Sequence, residues 1–159
     1  MATTTPLRGT ATALTFAAGD STLASGAYAV SSSVNTTTLG SGGIAADDAA
    51  VSLSVGIAAT AVANDTLDMY AVSSFDNATF SDAPADGSTD TTHNANMVYV
   101  RSLSVPSAAA ATLVFPATLL AELFGGSLPP YLKIVLYNGS GAALTSLAGS
   151  IQGLNESVA

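Results

Sequence analysis

Few side chains in this sequence can do chemistry. There is one histidine, His93, and no cysteine. A nucleophilic serine needs a base within reach, and His93 stands between Thr92 and Asn94 in a polar stretch, with no G-x-S-x-G elbow in the chain. Its neighbours favour a solvated loop histidine. Without cysteine there are no disulfides and no thiolate metal sites, and the redox compartment is not encoded.

The carboxylates come next. Asp47-Asp48 and Asp65/Asp68 are close in sequence but sit beside Gly, Ala, Asn or Thr. In such settings Asp bonds its own backbone in turns. Glu122 is the one acid in an apolar setting, and it fits the exposed side of a short helix. No pair has the surroundings that tune a carboxyl for general acid–base work. Asp76, Asp82, Asp86 and Asp90 could offer oxygen ligands to calcium. Acids at alternate positions are absent, however, and no Glu closes the loop. The expectation is an acidic solvated loop, with no metal and no cofactor. Gly40-Ser41-Gly42-Gly43 is followed by no Lys and lies in no strand-to-helix context, so it is not a phosphate loop.

Charge narrows the partners. The net charge is −8, and the basic residues are three: Arg8, Arg101 and Lys133. Phosphate recognition needs clustered Lys or Arg, which argues against nucleic acid. The same deficit argues against an anionic membrane surface. No apolar run reaches the roughly 18 residues that a membrane-spanning helix needs. The opening MATTTPLRGTATALTFAAG lacks the apolar core of a signal peptide, so it reads as a mature start. Charged residues make up 9% of the chain, against roughly 25% in an ordinary soluble protein. Ser, Thr, Asn, Gly and Ala take their place, as suits a surface occupied by neighbours, or a secreted or particle-bound module.

The elements that must position these residues are short strands. At 159 residues the chain is long enough for one domain. Residues 1–12 read as a flexible N-terminal arm and 13–159 as a single domain. Val51–Ile57 alternates cleanly, with Val51, Leu53, Val55 and Ile57 on one face and Ser52, Ser54 and Gly56 on the other. The small second face allows another chain or sheet to approach closely. Strands are also expected at Ala13–Ala17, Gly26–Val34, Leu67–Phe75, Met97–Val105, Thr112–Phe115, Tyr131–Tyr137 and Leu147–Gln152, the last followed by a frayed tail. In Met97–Val105 an inward row of Met97, Tyr99, Leu103 and Val105 is interrupted by Arg101, which suggests an edge, an interface or a buried pair. Pro116 closes one strand, Ala117–Phe124 forms a short helix, and Gly125-Gly126 ends it. Asp76–Asn96 is a long polar loop. About eight short strands with turn signals between them predict an all-β, antiparallel β-sandwich, jelly-roll-like, with one short helix. The densest apolar run, Leu113–Leu144, closes on Asn138-Gly139-Ser140-Gly141.

Two segments resemble small structural proteins of tailed bacteriophages: LDMYAVSSFDNATFSD at Leu67–Asp82 and SLPPYLKIVLYNGSGAALTS at Ser127–Ser146. The second is similar to the closing strand and turn of capsid decoration (cement) proteins. That resemblance implies a non-enzymatic homotrimer on the capsid surface of a virion, bound to the major capsid protein and stabilising the head shell. The expected contact regions are the arm, through Thr3, Thr4, Thr5, Pro6 and Arg8, and the loop Thr36–Asp48. Arg8 and Arg101 would pair with acids of a neighbouring chain. The alternative is a glycan- or receptor-binding module of a phage tail fibre or adhesin. Such modules use exposed aromatic platforms, and here only Tyr28, Tyr70, Tyr99, Tyr131 and Tyr137 are weighed for that role, at least half of them as core.

Overall fold

The structure, a computed structural model, describes residues 4–41, 45–80, 83–89, 97–106 and 109–158. Ten strands run through the described residues: β1 Thr4–Arg8, β2 Thr12–Leu14, β3 Tyr28–Val30, β4 Val34–Asn35, β5 Asp48–Ile57, β6 Thr66–Ser74, β7 Val98–Ser104, β8 Ala111–Leu119, β9 Tyr131–Gly139 and β10 Leu144–Val158. They form two five-stranded antiparallel sheets. The first has the order β1-β10-β5-β8, with β2 also on β10. The second has the order β3-β9-β6-β7, with β4 also on β9. The all-β sandwich expected from the alternation is what the chain forms.

Strand β5 shows why. Ala49, Val51, Leu53, Val55 and Ile57 are buried, while Ser52 and Ser54 between them are only half-buried. A period of two puts the apolar set on one face of a strand. That face meets Leu67, Met69 and Ala71 of β6 and Leu132, Ile134 and Leu136 of β9 in one continuous core. Each such aliphatic side chain contributes about 1.5–3 kcal/mol by leaving water.

The turn after β9 is a buried polar node. Asn138 is fully buried, and its amide nitrogen donates to the carbonyls of Leu23 (2.9 Å) and Ala142 (2.8 Å). Its side-chain oxygen accepts from the Ser140 N–H (3.1 Å) and hydroxyl (2.7 Å). Every polar atom of that side chain is matched, which is what makes its burial tolerable.

Several expectations are corrected. The arm is not free: Thr4–Arg8 pairs with Val158–Leu154 as β1. It can do so because β10 runs well past Gln152, where a frayed tail was expected. Pro116 does not end its strand. β8 continues to Leu119 because it lies at the sheet edge, and the register slips opposite Ser52, so that two residues face one. Edges and bulges are where a strand tolerates proline. The helix expected at Ala117–Phe124 shrinks to one 3-10 turn, Ala121–Phe124, ended as predicted by Gly125 at φ 79°. In β7 the alternation breaks. Met69 faces Arg101 while Tyr70 faces Tyr99, which leaves Val100 as the extra residue of a bulge. Val100 then turns into the core and Tyr99 turns out.

Candidate functional site

The residues expected to bind a partner fall at two margins. Thr3 lies outside the described residues. Thr4, Thr5 and Pro6 are placed by backbone pairing with Val158, Ser157 and Glu156. Arg8 is exposed opposite Leu154. Arg101 is exposed on β7, the edge strand of the other sheet. β1 lies at one margin of the first sheet, and β7 packs beside β8 at the other margin. The two arginines therefore do not form one site.

The arm and the loop Thr36–Asp48 do come together. The Gly9 N–H donates to the Gly153 carbonyl at 2.9 Å, and the Asp47 N–H donates to the Leu154 carbonyl at 3.0 Å. Asn155 Nδ2 donates to the Ala45 carbonyl at 2.6 Å. A Cβ on either Gly9 or Gly153 would collide with the Leu39 carbonyl, so the loop rests directly on the backbone at this end of the sheet. Thr37 and Thr38 are exposed there, on a 3-10 turn capped by Asn35 Oδ1 accepting the Thr37 N–H at 3.0 Å.

The described part of the stretch expected to be a polar solvated loop, residues 76–80 and 83–89, has a packing role. It covers a second cluster on the outer face of the β3-β9-β6-β7 sheet, where Tyr28, Val72, Met97 and Val135 are buried against Phe80 and Ala83. The Tyr28 N–H donates to the Ser88 carbonyl (2.9 Å), and the Gly87 N–H donates to the Tyr28 carbonyl (2.8 Å). Asp86 Oδ1 accepts the Val30 N–H at 2.8 Å. Lys133 Nζ sits 4.6 Å from the centre of the Phe80 ring.

The acids in this region are engaged in structure. Asp76 Oδ1 accepts from the N–H groups of Ala78 (2.9 Å) and Thr79 (2.8 Å) and from the Ser74 hydroxyl (2.8 Å). Those donors hold its carboxyl well below the usual range. Asp20, 2% exposed, accepts the Ala17 N–H at 2.9 Å and meets Asp86 side chain to side chain. Burial first, then the Asp86 charge, pushes its carboxyl up. Burial, with the charge of Asp68, likewise raises the Tyr70 phenol. Asp82, Asp90 and His93 lie outside the described residues. Among the described residues no three His, Cys, Asp or Glu side chains gather as metal ligands.

Two aromatic side chains point outward. Tyr99 is 52% exposed and stacks edge-on against Tyr70 with centroids 5.8 Å apart. Phe75 is 85% exposed beside a groove formed by Phe124, Leu128, Pro129 and Pro130. Sequence reasoning placed Phe75 inside a strand and missed it. The signal was the Asp76-Asn77 pair that follows, since Asp and Asn start turns, and Asn77 is left-handed at φ 60°.

On the outer face of the first sheet, by contrast, Val114 and Ala148 are exposed. Ser54 has Ala148 on one side and Val114 on the other, and Ser52 meets Ser150 with their hydroxyls 3.3 Å apart. These residues line a shallow hollow.

No protein-family model matches this chain. No curated protein matches it significantly either.

Proposed function

We propose that this chain is a non-enzymatic virion structural protein: a capsid decoration protein that binds the major capsid protein and stabilises the head shell. The observation that carries the reading is the joining of the arm and the loop Thr36–Asp48 into one surface at the end of the β1-β10-β5-β8 sheet. The sequence points to both as contact regions, and they are separate segments of the chain. The surface presents the exposed Thr37 and Thr38 beside Arg8 and Asp47, so a partner can meet it through neutral hydroxyls with charges at its margin. The two segments that carry the phage resemblance also lie together, since β6 and β9 pair from Thr66↔Gly139 to Ser74↔Tyr131.

The test is co-sedimentation of the full chain with expanded capsids assembled from the major capsid protein of the same source. Saturable binding is expected, and Thr38→Arg, at an exposed position, should abolish it while leaving the melting temperature unchanged. Unaltered occupancy by that variant, or no binding by the parent chain, overturns the reading. Deleting Met1–Gly9 is a poor test, because it removes β1 and bares the edge of β10.

A second reading rests on Tyr99 and Phe75, the two outward aromatics. Aromatic platforms bind sugars in sandwich modules, so a tail-fibre or adhesin module that binds glycan or receptor is the alternative. A reproducible glycan-array signal that is lost in Tyr99→Ala or Phe75→Ala would favour it.

A further inference from the structure

We propose that two copies of this chain pair about a twofold axis through the outer face of the β1-β10-β5-β8 sheet. The inference concerns free chains and does not depend on the capsid reading.

The first support is contrast in cover. The other sheet's outer face is packed over by the segment after β6, whereas here Val114 is 59% exposed and Leu119 48%. The second is charge. Three successive rows of this face read Ala13–Ser150–Ser52, Ala148–Ser54–Val114 and Gln152–Ala50–Leu119, with no ionisable side chain among them. A chain of net charge −8 repels its own copies wherever its acids face each other. An uncharged face lets them meet with the acids held at the rim.

The third support is size. From Ser146 to Leu154 the face is about 27 Å long and about 14 Å wide over β10, β5 and β8, with β2 adding a fourth strand only beside Gly149–Ile151, using ~3.4 Å per residue and ~4.8 Å per strand. Two such faces cover about 800–900 Å², which suits a weak, transient pair. The fourth is that the sheet edges are unsuited to pairing. Pro6 lies on β1, a proline bulge on β8, a bulge and Arg101 on β7, and β2, β3 and β4 are very short. These are the devices that blunt edge-to-edge association, so contact through a face remains.

The last charged row fixes the symmetry. Arg8 and Asp48 flank Leu154 on either side of β10. A twofold axis running along β10 lays Arg8 of each copy over Asp48 of the other. Asp48 is held in place for this, because its Oδ1 accepts the N–H groups of Leu120 (3.1 Å) and Ala121 (2.8 Å).

The test is sedimentation velocity with light scattering on the full chain, from about 10 µM to about 1 mM, the range suited to an interface of this size. A concentration-dependent dimer is expected. Ala148→Glu or Ser54→Arg should return it to monomer with an unchanged circular-dichroism melt. Arg8→Gln should weaken it several-fold, as should Asp48→Asn, which keeps the Oδ1 acceptor. Because the chain has no cysteine, Ala148→Cys near the axis gives an independent readout: a short bis-maleimide should link two copies. A monomer throughout, a trimer, or a dimer that survives both face charges overturns the proposal.

Discussion

The two sheets bury the same kind of residue inward and differ in what they do outward. The β3-β9-β6-β7 sheet is apolar on both faces, with Tyr28, Val72 and Val135 outside, and the chain spends the segment after β6 covering them. The β1-β10-β5-β8 sheet alternates properly, carries Ala, Ser and Gly outside, and leaves Val114 and Leu119 exposed among the described residues. A strand with large apolar residues on both faces needs layers on both sides. A strand with one small polar face can stop at water or accept another molecule. The polar segment after β6 is therefore read wrongly from composition alone. Its backbone and Asp86 secure it, while a few apolar residues such as Phe80 and Ala83 do the covering.

Breaking the covered side should have the largest effect. Tyr28→Ala removes a fully buried ring from under the segment and should cost about 3–5 kcal/mol in urea unfolding. A loss below about 1 kcal/mol, the range of ordinary surface changes, would mean that the second cluster is not a true layer. Asp86→Ala removes the acceptor for the Val30 N–H and should cost about 1 kcal/mol near pH 4. It should also raise hydrogen exchange at Val30 before that of β9, and uniform protection would count against the latch.

The latch should depend on pH in a definite direction. Asp20 has a folded-state pKa raised above its ordinary 3.8, so the folded chain holds that proton more tightly. Its contribution is complete below 3.8 and is lost as pH rises through the raised value. Asp20→Asn should flatten that part of the stability curve, and an unchanged slope would refute the raised carboxyl of Asp20. Asp76 acts in the opposite sense. Its carboxyl is lowered from 3.8, so its contribution is present above that value and fades on acidification. The outer face of the first sheet should respond least: Val114→Ser should shift monomer stability by no more than about 0.5 kcal/mol. A larger loss would show that the face is packed after all.

Much of this architecture was legible wherever a strand sits at the centre of a sheet. β5 and β9 were readable because both of their neighbours lie within the sheet and the core decides which side chains turn in. The misreadings cluster at edges. Pro116 and Val100 both sit at bulges, whose position is set by the partner strand and not by local propensity. The arm was misread because β1 has little apolar content of its own and takes its order from β10. Of the candidate site, Arg8 and the loop Thr36–Asp48 were readable as types of surface. Their meeting was not, because it depends on backbone contacts at Gly9 and Gly153.

The position of β10 has a consequence for how the chain reaches this state. Of the strands formed earlier in the sequence, β1 and β2 find their hydrogen-bond partner on it and β5 finds one of its two there, with Thr4 waiting for Val158. Until it arrives, the alternating face of β5 has no neighbour on that side and β1 has nothing to pair with. Contacts that close over such long separations are slow to form, and an open strand edge is the species most prone to pair with the wrong chain. A chaperone that recognises unfinished sheets would meet this protein in that interval.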